Sequence, residues 1–334
     1  MELDFGAKRT NRPLATRQLT SGLVWPGTPC DKVGCFLSRR SATITIGQHS
    51  ISSLAESSSM STIPKTRLSG RADRPRPQYR AVEVSRVKRL TPHMQRITVT
   101  GAELEGFSTQ GVAGHVRLLL PAPGQQPPVL PTWGPNGPEY PEGVQRPVSR
   151  VYTPRRWDPE KLELDIDVVL HGDNGPASAW AARVLPGDRL VVIAPRRAYH
   201  PDQSADWLLL AADESALPAV ATILEVLPAG MLAMAYIEVL DAAEEQPLES
   251  AATLKVNWIH RGNSTPGEKL VAAVRQVQLP PGNGRAWVAC ESMSMRELRR
   301  FLLQERGFDK GAIDTQGYWK FGVANHPDHD RGDG

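Results

Sequence analysis

The pattern of apolar and polar positions divides the chain near residue 204. Before that point the two classes alternate in short runs, as in YRAVEVSRVKRL (79–90) and MQRITVTG (94–101). This alternation is typical of strands with one buried face. Four more short runs follow, with a helix predicted to begin at Pro176: GHVRLLLP, RPVSRVYTPR, KLELDIDVVLH and RLVVIAPRR. Six short strands with one helix predict an antiparallel six-stranded β-barrel.

From residue 204 the apolar runs become continuous. DWLLLAAD (206–213) shows no alternation, which is typical of a strand buried on both faces. Predicted strands at MLAMAYIEVL, LKVNWIHR and RAWVACE alternate with predicted helices at ALPAVATILEVL, GEKLVAAVRQV and MSMRELRRFLLQERG. Strands that alternate with helices indicate βαβ units, so this half is predicted to be a doubly wound α/β domain.

These patterns predict two domains, a β-barrel over residues 75–203 and an α/β domain over residues 204–324. Residues 1–64 are rich in Ser and Thr and are expected to be a disordered or mis-started extension, with Met60 as a natural start. A twin-arginine export signal at Arg39–Arg40 is disfavoured, because the following TITIG is too short for a signal core. Residues 325–334 are expected to be a disordered tail.

Composition and charge narrow the classes of function. The 334 residues carry a net charge of +3, which suits an anionic small ligand but is too weak to indicate nucleic acid. Many basic residues fall within 65–89, but the stacking aromatics of a nucleic-acid site are almost absent there. No run is apolar enough for stable membrane insertion, and three cysteines fit a reducing compartment. We therefore expect a cytoplasmic monomer without a metal site.

The stretch RPVSRVYTPR (146–155) places unusual chemistry on one strand. Arg150 and Tyr152 share one side of an extended chain, and Thr153 follows on the other. An edge strand with a solvated face would also explain these residues. A guanidinium that can hold a phosphate beside an aromatic ring makes the stretch a candidate ligand site.

A barrel followed by a nucleotide-binding α/β domain resembles the ferredoxin-reductase superfamily, whose flavin strand carries Arg-x-Tyr-Ser/Thr. More narrowly, the chain resembles the siderophore-interacting proteins, over residues 78–322. The stretches that carry this resemblance are GHVRLLLP, DVVLHGDNGPASAWA, AADESALPAV and GYWKFG. The resemblance implies an FAD-dependent reductase that takes electrons from NADPH or NADH and releases ferrous iron from ferric siderophores. Ferredoxin stays open as the electron donor.

The resemblance also implies which residues hold FAD. Arg150 would bind the diphosphate, Tyr152 would support the flavin ring, and Thr153 would reach the ring edge. The turn GDNGPASAW would present N–H groups at a helix start. His171 would contact the phosphate or the adenine, or else be structural. The remaining flavin candidates are Asp167, Val169, Gly175, Ala177 and Ser178.

The nicotinamide cofactor would lie in the α/β domain, where the family reads GDETALPA and this chain reads ADESALPA. Glu291 would orient the nicotinamide or cap the next helix, and Cys290 is expected to be a buried small side chain. Arg261 would bind the 2′-phosphate of NADPH. Tyr318 and Trp319 would cover the flavin or pack the domain interface. The other candidates are Asp213, Glu214, Ser215 and Ala216.

Many ferric siderophores are anionic, so the mouth of the site is expected to be basic. The candidates are Arg117, Arg196, Arg296 and Lys320, each of which is otherwise a plain surface charge. The Pro-rich stretch 121–145 is expected to be a long loop without regular structure. Two alternatives remain open: a flavin-free siderophore-binding protein, and a flavin reductase with another acceptor.

Overall fold

The computed structural model describes residues 77–135, 137–172, 175–196, 198–324 and 330–332. The predicted extension, residues 1–64, lies outside the described residues, as does most of the predicted tail. Within these ranges no helix combines the length and the apolar character needed to cross a bilayer.

The first half of the described chain is rich in strands. Its main sheet has seven strands in the order β6-β3-β9-β1-β2-β8-β7, with every pairing antiparallel. In chain order the elements are β1 (Tyr79–Thr91), β2 (Met94–Thr100), β3 (His115–Leu120), β4 (Thr132–Gly134), β5 (Gly137–Glu139), β6 (Val148–Tyr152), β7 (Pro154–Asp158), β8 (Glu163–Val169), α1 (Pro176–Ala181) and β9 (Arg189–Arg196).

The prediction of six strands is wrong by one. RPVSRVYTPR does not form a single strand, because the chain changes partners at Thr153: β6 pairs with β3, whereas β7 begins at Pro154 and pairs with β8. Pro154 has no N–H for the β3 ladder. Since β6 and β7 are consecutive in the chain and lie at opposite edges of the sheet, this segment joins the two edges and rolls the sheet into a barrel.

The Pro-rich stretch 121–145 also differs from its prediction. It contains β4 and β5, which form a short antiparallel hairpin with Trp133 opposite Pro138. Gly137 has φ 128°, a conformation that favours glycine, and it begins the returning strand. The stretch is therefore a folded hairpin that projects two aromatic residues, Trp133 and Tyr140.

The second half is the predicted α/β domain. Its five strands are all parallel in the order β12-β11-β10-β13-β14, so the chain reverses its direction of progress between β10 and β13. The elements are β10 (Trp207–Asp213), α2 (Leu217–Leu224), β11 (Leu232–Val239), β12 (Thr253–His260), α3 (Glu268–Arg275), β13 (Gly284–Glu291), α4 (Ser292–Gln304) and β14 (Ile313–Trp319).

Helices cover both faces of this sheet. One apolar cluster joins α2 to one face, and a second joins α3 and α4 to the other. The predicted fold class, a barrel followed by a doubly wound α/β domain, is confirmed. The predicted boundary between residues 203 and 204 falls between β9 and β10 and stays a prediction.

Buried polar contacts connect the barrel to the α/β domain. The Glu244 carboxylate, 5% exposed, accepts hydrogen bonds from the Thr91 hydroxyl and from the His93 N–H at 3.0 Å. It also contacts His93 Nδ1 at 2.8 Å. A second link joins the Tyr318 phenol to the Thr153 hydroxyl. The break between β6 and β7 therefore lies beside the end of β14.

Candidate functional site

Strand β6 carries Arg150 and Tyr152 on its inner side. Arg150 lies opposite Leu118 and Tyr152 lies opposite Val116, and both partners belong to the barrel core. Directly paired residues of antiparallel strands share a face. Helix α1 packs against β6 and β8. The structure therefore brings the predicted flavin strand and the predicted flavin helix together.

The surroundings of Arg150 and Tyr152 fit the roles that the sequence indicates, a cation and an aromatic ring. Among the described residues, the Arg150 guanidinium donates to the Ser149 carbonyl at 2.8 Å and forms no ion pair with a carboxylate. Burial raises the pKa of Tyr152 to about 12, with Arg150 opposing the rise. Tyr152 is therefore a neutral phenol with a flat ring, and the Arg150 cation beside it pairs with no carboxylate of the described residues.

Two hydrogen bonds within residues 171–179 hold the segment that leads into α1. The His171 N–H donates to the Ser178 hydroxyl at 2.9 Å, and the first helical bond runs from the Ala179 N–H to the Gly175 carbonyl at 2.9 Å. A Cβ on Gly175 would collide with the His171 imidazole, so glycine makes room for this ring. The N–H groups of Ala177 and Ser178 precede the first helical bond.

Two predicted flavin residues lie elsewhere. Asp167 is on the opposite side of β8 from the core residue Ile166, and the end residue Val169 shares the side of Asp167. Arg96 binds the Asp167 carboxylate through two hydrogen bonds of 2.7 and 2.8 Å. The structure does not bring these two side chains to the inner face of β6.

Asp213 organises the carboxyl ends of the parallel strands. One of its oxygens accepts the N–H and hydroxyl of Ser215, and the other accepts the Glu291 N–H and the Trp319 indole N–H, each at 2.8 Å. Of these donors, Ser215 precedes α2, Glu291 ends β13 and Trp319 ends β14. Asp213 therefore fixes three segments at the point where the sheet reverses, and its carboxylate is already occupied by protein donors.

The titration of Asp213 makes stability depend on pH. Burial, with a smaller contribution from Glu214, raises the pKa of Asp213 to about 6. Since this lies above the ordinary value of 3.8, the folded protein holds the proton more tightly, and stability falls as pH rises through this window. We expect the free energy of unfolding of the wild-type protein to fall by about 1.4 kcal/mol per pH unit in that window, relative to that of Asp213→Asn. Thermal unfolding of both proteins from pH 4 to 7 measures it; parallel pH profiles would contradict it.

Arg261 lies at the end of β12 with its charge already compensated. Its Nη1 is 2.8 Å from Glu214 and 3.6 Å from Glu238. Glu238 is fully buried and also accepts the N–H groups of Gly267 and Leu270 at the start of α3. Burial raises the pKa of Glu238. Arg261 and Glu214, both predicted for the nicotinamide cofactor, are thus brought together as an ion pair.

Glu291 and Cys290 end strand β13. The Glu291 carboxylate caps α4 by accepting the N–H groups of Met293 at 2.7 Å and Ser294 at 3.0 Å. Its other oxygen accepts the Phe321 N–H. Cys290 is fully buried, and burial raises the pKa of its thiol. Ala216, also fully buried, belongs to the core beside α2.

The two aromatic residues of GYWKFG have different environments. Tyr318 packs edge-on against Trp287, with ring centroids 6.5 Å apart, and its phenol meets Thr153. Burial raises its pKa. Trp319 donates to Asp213. Tyr318 therefore lies at the contact between barrel and α/β domain, and Trp319 belongs to the Asp213 network.

The four predicted siderophore cations lie on or beside four different elements of the fold. Arg117, on the outer face of β3, donates to the Ser149 hydroxyl at 3.1 Å. Arg296 pairs with Asp330 at 2.6 Å. Lys320 follows β14 and bridges to Val323, and the backbone of Arg196 pairs with His115.

The comparisons with known proteins agree with this geometry. The family model of the siderophore-interacting FAD-binding domain matches residues 83–199, and that of the siderophore-interacting protein matches residues 205–322. The chain belongs to the siderophore-interacting protein family. The resemblance inferred from its motifs is thereby confirmed.

Individual family members show how far the similarity extends. The chain is 37% identical to a siderophore utilization protein from T. fusca, with TM-score 0.68, over 76% of this chain and 97% of that one. It is 32% identical to the NADPH-dependent ferric-chelate reductase of Escherichia coli, over 72% of this chain and 93% of that protein. A ferredoxin NADP+ reductase from Neisseria gonorrhoeae, 14% identical with TM-score 0.51 over 72% and 99%, shares the fold.

Several polar and aromatic residues with specific contacts in the structure are not among those that the sequence indicates. Glu238 was not singled out, although an acidic residue near the end of the apolar run MLAMAYIEVL is a detectable signal. Glu244 and Asp330 gave no such signal, because their partners are distant in the chain. The hairpin residues Trp133 and Tyr140 were hidden in a stretch expected to lack regular structure.

Proposed function

We propose that this protein is an FAD-dependent reductase of ferric siderophores with NAD(P)H as electron donor. The observation that carries the proposal is the packing of α1 against β6, which brings the start of a helix to the strand that carries Arg150 and Tyr152 on its inner face. This face lies within the match to the FAD-binding domain. Membership of the siderophore-interacting family supports the substrate class.

The residues of this face fit a flavin dinucleotide. A diphosphate requires cationic and N–H donors, which Arg150, Ala177 and Ser178 provide. A flavin ring requires a flat surface, which Tyr152 provides as a neutral phenol. We also assign Thr153 and Tyr318 to the ring end, because they meet at the domain contact. Bound FAD supplies the chemistry that accepts hydride and delivers single electrons to ferric iron.

The nicotinamide donor is assigned to the carboxyl ends of β10 and β13, where doubly wound sheets bind nucleotides. Asp213 and Glu291 hold the strand ends and the helix cap in place rather than presenting free carboxylates. A 2′-phosphate at Arg261 would meet Glu214 and Glu238, whereas a ribose hydroxyl could donate to Glu214. NADPH binding at Arg261 therefore requires the 2′-phosphate to displace these carboxylates.

The remaining assignments are proposals of the same kind. The ferric siderophore is the small-molecule substrate, and release of ferrous iron is the outcome. We place the protein in the cytoplasm, where NAD(P)H is available, as a monomer. Ferredoxin is the alternative donor, and the domain boundaries and the assigned site residues belong to this proposal.

The visible spectrum of the purified full-length protein tests the proposal. We expect flavin bands that bleach anaerobically on addition of NADH or NADPH and return on addition of a ferric siderophore. Bleaching by reduced ferredoxin alone would change the donor. Return of the bands with other oxidants but not with ferric siderophores would indicate another acceptor. A colourless protein that FAD does not reconstitute would contradict the proposal and favour a flavin-free binding protein.

A further inference from the structure

Strand β14 contains one residue, Tyr318, that has no partner in the neighbouring strand β13. Cys290 of β13 lies opposite Gly317, but the next residue, Glu291, lies opposite Trp319, so Tyr318 is extra in the ladder. An extra residue of this kind is a β-bulge, which bends its strand, re-aims a side chain and is common beside functional sites. The bulge therefore releases Tyr318 from the regular alternation of β14, at the end of the sheet where doubly wound domains bind nucleotides.

The Tyr318 side chain connects the two domains. Its ring packs edge-on against Trp287 of β13, with ring centroids 6.5 Å apart, and against the apolar cluster that joins α2 to the sheet. Its phenol is hydrogen-bonded to the hydroxyl of Thr153 in the barrel. Because burial raises the pKa of Tyr318, the phenol is neutral and keeps its proton.

Strand pairing does not fix the side chain of Thr153. Tyr152 pairs with β3 and Pro154 pairs with β8, so Thr153 lies between two ladders and belongs to neither. The residue is nevertheless only 5% exposed. A buried hydroxyl needs partners for its proton and its lone pairs, and the Tyr318 phenol is one of them. The direction of the Thr153 hydroxyl therefore depends on a residue of the other domain.

A pair of hydroxyls can offer either a donor or an acceptor to a third group. When the Tyr318 phenol donates to Thr153, the Thr153 hydroxyl can donate its own proton; when Thr153 donates to Tyr318, its oxygen can accept. A flavin ring needs both, because the ring nitrogen that accepts a hydrogen bond in the oxidised state carries a hydrogen in the reduced state. In both states the buried Thr153 proton then has an acceptor.

We propose that Tyr318 is a positioning residue for the flavin, which it does not itself touch: it holds the Thr153 hydroxyl at the ring edge and thereby favours the reduced flavin. The inference rests on the proposed function, which assigns Thr153 to the ring end. It gives the α/β domain a role in the redox equilibrium of a cofactor bound in the barrel, since the contact exists only while the two domains are docked.

Tyr318→Phe in the full-length, FAD-loaded protein tests this inference, because phenylalanine keeps the ring on Trp287 and removes only the hydroxyl. In the reduced state the Thr153 proton then lacks its acceptor. The equilibrium between oxidised and reduced flavin should shift about tenfold towards the oxidised form, which is about 30 mV for a two-electron couple. Anaerobic titration against a dye of known potential measures the shift. The matched variant Tyr199→Phe removes another phenol beside the same indole, with ring centroids 6.5 Å apart, and should leave the potential unchanged.

A double-mutant cycle separates positioning from general packing. Thr153→Val should lower the potential by itself, and Tyr318→Phe should then add nothing; a full further shift on that background, or an unchanged potential in Tyr318→Phe alone, would overturn the inference. If Tyr318→Phe loses flavin, the pair Thr153→Val and Thr153→Ser replaces it, and only the variant without the hydroxyl should shift. A wild-type protein that FAD does not reconstitute would overturn the proposed function as well, whereas bound flavin that is insensitive to Tyr318 would overturn the inference alone.

Discussion

Replacing Arg150 by alanine is expected to give a folded protein that purifies without flavin. Arg150 is the cation on the inner face of β6, and its described hydrogen bond is to a neighbouring carbonyl rather than to a carboxylate. Hydrogen bonds from a guanidinium to a diphosphate are among the stronger ones. We expect the Kd for FAD to rise about a hundredfold, measured by fluorescence titration of the apoprotein.

Two further variants make this test specific. Arg150→Lys keeps the charge but not the paired N–H donors of the planar guanidinium, so its Kd should lie between those of the wild-type and alanine proteins. Arg156→Ala removes an exposed arginine from the neighbouring strand β7 and should leave the Kd unchanged. Full flavin content in Arg150→Ala would show that the inner face of β6 is not the diphosphate site.

Glu244→Ala is expected to cause the largest loss of stability among the substitutions considered. The carboxylate is buried between the two domains, and its removal leaves the Thr91 hydroxyl and the His93 N–H without their acceptor. We expect the free energy of unfolding to fall by about 3 kcal/mol, which corresponds to a fall in Tm of some 6–12 °C for a chain of this size. Differential scanning calorimetry measures the change.

The adjacent residue supplies a matched control. Glu245 also contacts a histidine, His260, at 2.7 Å, but both side chains are substantially exposed. Glu245→Ala is expected to change stability by at most about 0.5 kcal/mol. Similar effects of the two substitutions would show that Glu244 is not a buried link between the domains.

The sequence predicted the elements whose pattern is local. Apolar and polar residues alternate along the first part of β1, and the central strand β10 is almost continuously apolar, so the character of each half was recognised. β14 was missed because Asp314, Thr315 and Gln316 interrupt its apolar pattern at the edge of the sheet. The break at Thr153 was missed because alternation continues across it, and the change of partner depends on how the whole sheet closes.

The residues of the candidate site are likewise of two kinds: those that the local sequence predicts and those that only the fold brings together. The common orientation of Arg150 and Tyr152 was predictable, because residues two apart on a strand lie on the same face. The Asp213 network was not, because its donors are residues 215, 291 and 319, which only the folded sheet brings together. Whether a predicted charge is available or already paired, as for Arg261 and Arg296, is likewise a property of tertiary structure.

The segment from β6 to β7, residues 148–158, also joins the two edges of the barrel sheet. If Arg150, Tyr152 and Thr153 bind the flavin as proposed, cofactor binding and closure of the barrel depend on the same eleven residues and are thermodynamically linked. Flavin would then stabilise the closed barrel, and a substitution that separates the two edges would weaken flavin binding.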